Sequence, residues 1–291
     1  MIKYVYIRLL TTTKVDIKHL RKTPLIFAAI VFAFACNNKT KSKESVETYP
    51  SADSPIPIEF KVLNVFPHDT AAYTEGFLFH HGQLMESTGH TSSFPSSRSL
   101  FGAVDLKNGN INTKVEIDKN KYFGEGIVFL KGRIYQLTDT SRIGFIYDEK
   151  TFKKLGNFYY DGEGWGLTTN GSYILMSNGS STIFYRDPST FKVVKSLGVS
   201  DNNGPVQNLN ELELINGFLY ANQWLTDYIL KIDTTSGKVV GRLDLSRLKT
   251  EAKIKNPFSE ETNGIAYDPE KNRIYVTGKR WPTIYEIQFD H

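Results

Sequence analysis

Five short strand-like motifs recur along this chain at nearly even spacing, and that repetition limits the folds open to it. They begin at Glu75 (EGFLF), Glu125 (EGIVFL), Trp165 (WGLTT), Asn210 (NELELI) and Asn263 (NGIAYD), with starts 50, 40, 45 and 53 positions apart. A turn and a second strand follow each: GQLMEST at 82–88, GRIYQLT at 132–138, SYILMSN at 172–178, GFLYANQW at 217–224 and NRIYVTGK at 272–279. A third element ends in a hydrophobic-Asp turn: VDLKNG at 104–109, YDEKTF at 147–152, RDPSTF at 186–191 and IDTTSG at 232–237. Units of this size, rich in β-branched and aromatic residues and without sustained helical periodicity, predict an all-β chain. At about 47 residues each they match four-stranded propeller blades, so the expected fold is a five-bladed β-propeller, with a two-sheet sandwich as the competing arrangement.

The last repeat stops at IYEIQFD (284–290), one strand short. The apolar alternation of PIEFKVLNVF (57–66), ahead of the first repeat, supplies a candidate. A strand from the N-terminal side would then close the ring and remove its open edges. Residues 56–291 are expected to form this domain, folding alone as a monomer.

What precedes the domain reads as targeting. Residues 24–35 (PLIFAAIVFAFA) are apolar and follow a basic stretch. About a dozen residues are too few to span a bilayer comfortably but suit the apolar region of a secretory signal. Cys36, the only cysteine, comes next. Residues 1–36 are therefore expected to be a signal peptide ending at a lipoprotein cysteine, with Cys36 acylated. The polar stretch 37–55 reads as a flexible tether. The expected location is the cell envelope of a bacterium, on the periplasmic or surface side, held to the membrane by lipid. A lone cysteine also excludes an internal disulfide.

The charge follows the same division. Residues 1–35 hold six basic residues and one acid, which leaves 29 basic and 30 acidic residues for the remainder of a chain whose net charge is +4. Nucleic-acid binders carry their positive charge in the folded domain; this domain is nearly neutral, so no nucleic-acid partner is expected.

Blade geometry locates the chemistry. The innermost strand runs along the central channel and the second returns antiparallel beside it. Starts of first strands and ends of second strands therefore meet at one mouth. The starts carry Glu75, Glu125, Trp165, Asn210 and Asn263; the ends carry Glu86, Asp139, Asn222 with Trp224, and Lys279 with Trp281. All three tryptophans of the chain fall in this set, and Tyr73 and Phe123 sit two positions before Glu75 and Glu125. Aromatic walls with a few convergent polar groups suit a small-ligand pocket. Other chemistries fare worse. The histidines, among them the His80-His81 pair in a turn away from the mouth, show no metal-ligand spacing in sequence. There is no G-x-S-x-G elbow and no phosphate loop.

The stretches YTEG (73–76), ESTG (86–89), YFGEGI (122–127), GFIYD (144–148), EGWGLTTNG (163–171), ILMS (174–177), LNELE (209–213), ANQWLTDYI (221–229), NGIAYD (263–268) and TGKRWP (277–282) co-occur in order over nearly the whole domain. On these the chain resembles the plant and bacterial glutaminyl-peptide cyclotransferases of the five-bladed type. The resemblance implies conversion of an N-terminal glutamine to pyroglutamate with loss of ammonia, on peptide or protein substrates, without a required cofactor; a structural ion in the central channel is compatible with it. By matching position, Glu125 resembles the family's acid/base, and Asn210 and Lys279 the groups that polarise the γ-carbonyl. Trp165, Trp224, Trp281 and Phe123 would form the cup around the glutamine, with Tyr73 and Glu75 beside it. The chain departs from the pattern at Glu75, where some relatives carry glutamine, and at Asp139, where relatives often carry tryptophan. Those departures keep open a catalytically silent propeller that binds peptide N-termini. A metal-dependent, lactonase-like hydrolase is the other alternative, and Lys279 at the same mouth opposes its cation.

Overall fold

The computed structural model of the chain describes residues 54–291. The expected signal peptide, Cys36 and nearly all of the tether lie outside the described residues. The described residues form five blades, each of four antiparallel strands, one of them extended by a fifth strand, together with a separate two-stranded sheet of Ser200–Asp201 and Gly204–Pro205. Their innermost strands, Thr74–His80, Gly124–Leu130, Leu167–Thr169, Leu209–Ile215 and Thr262–Asp268, neighbour one another around a central channel. These strands are mostly buried, as strands covered on both faces must be. The outer strands are more exposed, and in the fourth blade Val239–Asp244 runs buried, exposed, buried along its length, the period-two pattern of an edge with one wet face.

The ring closes through the N-terminal segment. Lys61–Pro67 pairs antiparallel with Thr283–Gln288 and becomes the outer strand of the fifth blade, Val65 opposite Tyr285. The residues just before it add something the sequence did not suggest: Ile56–Pro57 runs parallel to the outer strand of the fourth blade, Ile56 opposite Gly241. One short segment thus staples two adjacent blades.

The repeated Asp turns have a common mechanism. The Oδ1 atoms of Asp148, Asp187 and Asp233 accept from the backbone N–H groups of Thr151 (2.8 Å), Thr190 (2.9 Å) and Ser236 (2.7 Å). Each is an Asx-type turn between the third and fourth strands. The core is partitioned in the same way. Five apolar clusters sit between neighbouring blades, for example Phe77, Leu84, Ala266, Tyr275 and Ile284 between the first and last. A helix, Ser246–Lys255, interrupts the all-β pattern before the fifth blade. Only Leu248 and Ala252 of it are buried, a single i, i+4 pair; so short an apolar stripe leaves no readable helical period. Among the described residues no helix is long and apolar enough to cross a membrane.

Candidate active site

The innermost strands do not pair regularly at the mouth. Their register with the second strand shifts between Thr74 and Gly76, between Gly124 and Ile127, between Leu209 and Leu212, and between Thr262 and Ile265. Glu75, Glu125, Asn210 and Asn263 all lie inside these irregularities. An extra residue in a strand re-aims its side chain, and the repetition of the shift in four blades delivers four polar side chains to one end of the channel.

Blade-to-blade hydrogen bonds fix these irregular segments. Ser87 Oγ of the first blade donates to the Glu125 carbonyl at 2.6 Å, and Ser177 Oγ of the third to the Asn210 carbonyl at 2.6 Å. Gly126 N donates to the Trp165 carbonyl at 2.8 Å, Gly264 N to Asn222 Oδ1 at 2.9 Å, and Asn263 Nδ2 to the Thr74 carbonyl at 2.9 Å. Every interface of the ring carries one such clasp beside a residue of the mouth.

The charged groups are buried together. Lys279 Nζ donates to Glu75 Oε1 at 2.7 Å, and Asn263 Nδ2 donates to Glu75 Oε2 at 3.1 Å. Burial raises the Glu75 carboxyl to about 7 against the pull of Lys279, with Asp139 and Glu261 adding to the rise. Glu125 is raised well above the usual glutamate range, first by burial and then by the charge of Glu75, with Asp139 and Glu163 also contributing. Burial alone would depress Lys279; Glu75 and Glu125 outweigh it and hold the ammonium above the ordinary lysine value. The site therefore holds a fixed cation, an acid hydrogen-bonded to it, and a second carboxyl whose hold on its proton is strengthened by burial and by its acidic neighbour. Two acids with different proton affinities in one cleft are the usual basis of acid–base work.

Several polar atoms here have no hydrogen-bond partner within the protein: Glu125 Oε2, Asn210 Oδ1, Asn222 Nδ2 and Asn263 Oδ1. Buried polar atoms are nearly always satisfied, so four orphans around one mouth point to a ligand that completes them. Of these residues Asn222 and Asn263 were not singled out as binding groups from sequence, since their strand positions are shared by ordinary packing residues.

Aromatic side chains wall the mouth. Trp165 and Trp224 meet edge to face at 5.5 Å, and Tyr73 and Phe123 do so at 6.0 Å. All four are half-buried. Phe123 lies flat on Gly89 and Trp165 on Gly179, so closely that a Cβ at either glycine would stand 2.1 or 2.5 Å from a ring carbon. Lys279 Nζ sits 4.6 Å from the centre of the Tyr73 ring, whose hydroxyl donates to Glu260 Oε2 at 3.2 Å. Trp165 Nε1 donates to Glu163 Oε2 at 3.0 Å.

Two residues placed at the mouth from sequence lie elsewhere. Trp281 is 0% exposed and belongs to the apolar cluster between blades four and five, against Tyr285, with Nε1 donating to the Glu260 carbonyl at 3.2 Å. Arg280, in the left-handed conformation (φ +61°), reverses the chain after Lys279, so lysine and tryptophan diverge. Trp281 is therefore a core residue and not a wall of the cup. Glu86 is also turned away: it accepts from Thr74 Oγ1 at 2.7 Å and pairs with buried His68 at 3.0 Å. Asp139 stays near the mouth, half-buried, and its charge acts on both Glu75 and Glu125.

The family model described as glutamine cyclotransferase matches residues 28–289. A glutaminyl-peptide cyclotransferase from Arabidopsis thaliana is 38% identical over 233 residues, covering 79% of this chain and 71% of the relative. The crystal structure of Myxococcus xanthus glutaminyl cyclase superposes with a TM-score of 0.73 at 32% identity, covering 81% of this chain and 99% of that one. The chain belongs to the glutamine cyclotransferase family.

Proposed function

We propose that the protein is a glutaminyl-peptide cyclotransferase whose working groups are Glu125, Lys279 and Asn210. The observation that carries this reading is the buried set at the mouth: Glu125, its proton affinity raised by burial and by Glu75, beside the Glu75–Lys279 contact, ringed by unpartnered amide atoms and aromatic walls.

The neutral α-amine of an N-terminal glutamine attacks its own side-chain carbonyl carbon. A C–N bond forms and the carbonyl pair moves onto oxygen. Lys279 and the Asn210 amide donate to that oxyanion, stabilising charge where it develops. Glu125 gives its proton to the departing nitrogen and recovers one from the ring nitrogen, so it ends as it began. The C–N bond to the side-chain amide breaks, and ammonia leaves. The reference pKa of an α-amine, about 7.7–8.0, leaves a useful neutral fraction. The closure is intramolecular, so holding the substrate in the reactive rotamer supplies much of the rate, and the aromatic cup of Trp165, Trp224, Tyr73 and Phe123 binds the glutamine side chain.

No step requires a metal. The Lys279 ammonium, 2.7 Å from Glu75, opposes a divalent cation at the same mouth. The channel carboxylates accept N–H donors: Glu211 from Ile265 (2.8 Å) and Phe77 (3.3 Å), and Glu213 from Tyr267 (3.0 Å). Incubation with a Gln-initiated peptide, with and without chelator, tests the assignment: ammonia release unaffected by chelator supports it, and chelator-sensitive hydrolysis or no turnover opposes it. The leader pattern in the sequence supports export and acylation at Cys36, and with it a lipid-anchored enzyme of the cell envelope. Cys36→Ser should release it to the soluble fraction, whereas unchanged membrane retention would indicate another anchor.

A further inference from the structure

We propose that His80, His81 and Glu149 form a binding site for one zinc-class divalent cation, on the side of the propeller away from the catalytic mouth. Glu75 and His80 stand near opposite ends of the same strand, Thr74–His80; five residues of strand separate them by about 17 Å.

Neighbouring residues in a strand ordinarily face opposite ways. Here they do not. His81 (φ +47°) and Gly82 (φ +73°) both occupy the left-handed region, the two-residue hairpin turn that reverses the chain within two positions. The turn brings both imidazoles to one side, with ring centres 4.1 Å apart. The His80 ring is held by stacking on Phe129 of the second blade, 4.0 Å between centres at 20°. Glu149 arrives from the turn after Ile143–Asp148 of that blade, its own N–H bound to the Gly132 carbonyl at 3.1 Å.

Both Nε2 atoms then point at one oxygen. His80 Nε2 lies 2.8 Å and His81 Nε2 3.2 Å from Glu149 Oε1, and all three ligand atoms lie within 4.8 Å of one another. Ligands at about 2.0–2.1 Å from a tetrahedral zinc stand roughly 3.3 Å apart, so the two imidazole–carboxylate spacings, 2.8 and 3.2 Å, need at most a few tenths of an ångström of opening, and the two Nε2 atoms, within 4.8 Å of each other, can adjust by rotation of the exposed His81 ring. Two imidazoles and one carboxylate suit zinc and its neighbours. Calcium and magnesium call for more oxygen ligands than the cluster offers. His81 is largely exposed, side chain 81%, which leaves the fourth position open to solvent. A cation held here would join the first blade to the second, at an interface far in sequence (Glu149 is 69 residues from His80).

The test is titration of the full-length protein with Co²⁺ followed by its visible absorption, then displacement by Zn²⁺, with thermal unfolding measured alongside. Uptake of one ion per chain, with a raised Tm in Zn²⁺, is expected. Glu149→Gln and His81→Asn should each weaken binding by more than the roughly 10–100-fold that even an outer-shell partner is worth, and abolish the zinc-induced rise in Tm. Asparagine tolerates positive φ, and His81 is exposed, so the metal-free Tm of that variant should match the parent. The proposal fails if the parent takes up no Co²⁺ or Zn²⁺ at micromolar metal. It also fails if uptake survives both substitutions, as it would at Cys36.

Discussion

Lys279 Nζ meets Glu75 Oε1 at 2.7 Å, and this contact joins the last blade to the first. The pair is both a charge feature of the candidate site and part of the seam that closes the ring. It therefore predicts a separation of stability from activity. Lys279→Met alone leaves a buried carboxylate unpaired, and breaking a buried pair costs about 3–5 kcal/mol. Adding Glu75→Gln should recover much of that stability, because the residual charge is gone, while ammonia release stays low. Thermal unfolding and steady-state turnover of the two variants decide it. If the double variant regains activity, Lys279 does not act on the carbonyl.

The two kinds of tryptophan should behave differently. Trp281 is fully buried, so Trp281→Ala should cost roughly 3–5 kcal/mol of stability and leave KM of the folded fraction near the parental value. Trp224→Ala should raise KM with little change in Tm, since the cup holds ground state and transition state alike. A large rise in KM for Trp281→Ala would return it to the cup.

Gly166 packs where the third blade passes the fourth. A Cβ there would stand 2.2 Å from the Asn210 carbonyl oxygen, which Ser177 also holds. Gly166→Ala should displace Asn210, lowering kcat as well as Tm. Overpacking of this kind typically costs about 1–3 kcal/mol. A variant with parental kcat would show that Asn210 does not depend on this seat.

The channel gives a pH signature. Burial raises the Glu213 carboxyl from 4.5 to about 8, against the bonds from Tyr267 and Thr168. The folded state then keeps a proton that the unfolded chain has lost. Its contribution to stability is complete at acid pH and falls as pH rises from about 4.5 through about 8. Glu213→Gln removes that titration, so its Tm should decline less than the parent's across this range. Parallel Tm profiles would contradict the assignment.

The repeats were readable because each blade restates one strand pattern, and the short final repeat pointed to the N-terminal segment now seen at Lys61–Pro67. Strand direction sufficed to bring Glu75, Glu125, Asn210 and Lys279 to one end. It did not suffice for Trp281, whose direction depends on the single left-handed residue Arg280, or for Glu86, captured by His68 from another blade. The register shifts that aim Glu125 and Asn210 are tertiary features without a sequence mark of their own. The site for His80 and His81 was hidden for a related reason: Glu149 reaches them only through blade packing.

The central claim is that Glu125 carries the proton from amine to ammonia. The direct measurement is steady-state ammonia release from a Gln-initiated peptide by the parent, Glu125→Gln and Glu75→Gln across a range of pH. Glu125→Gln should lower kcat by about 10²–10⁴, the usual worth of a positioned acid/base, with KM and Tm little changed. The parent's kcat should fall as pH rises through the raised Glu125 pKa, because the departing nitrogen then lacks its proton. Near-normal kcat for Glu125→Gln, with activity abolished in Glu75→Gln, would contradict the account and move the acid/base to the first blade.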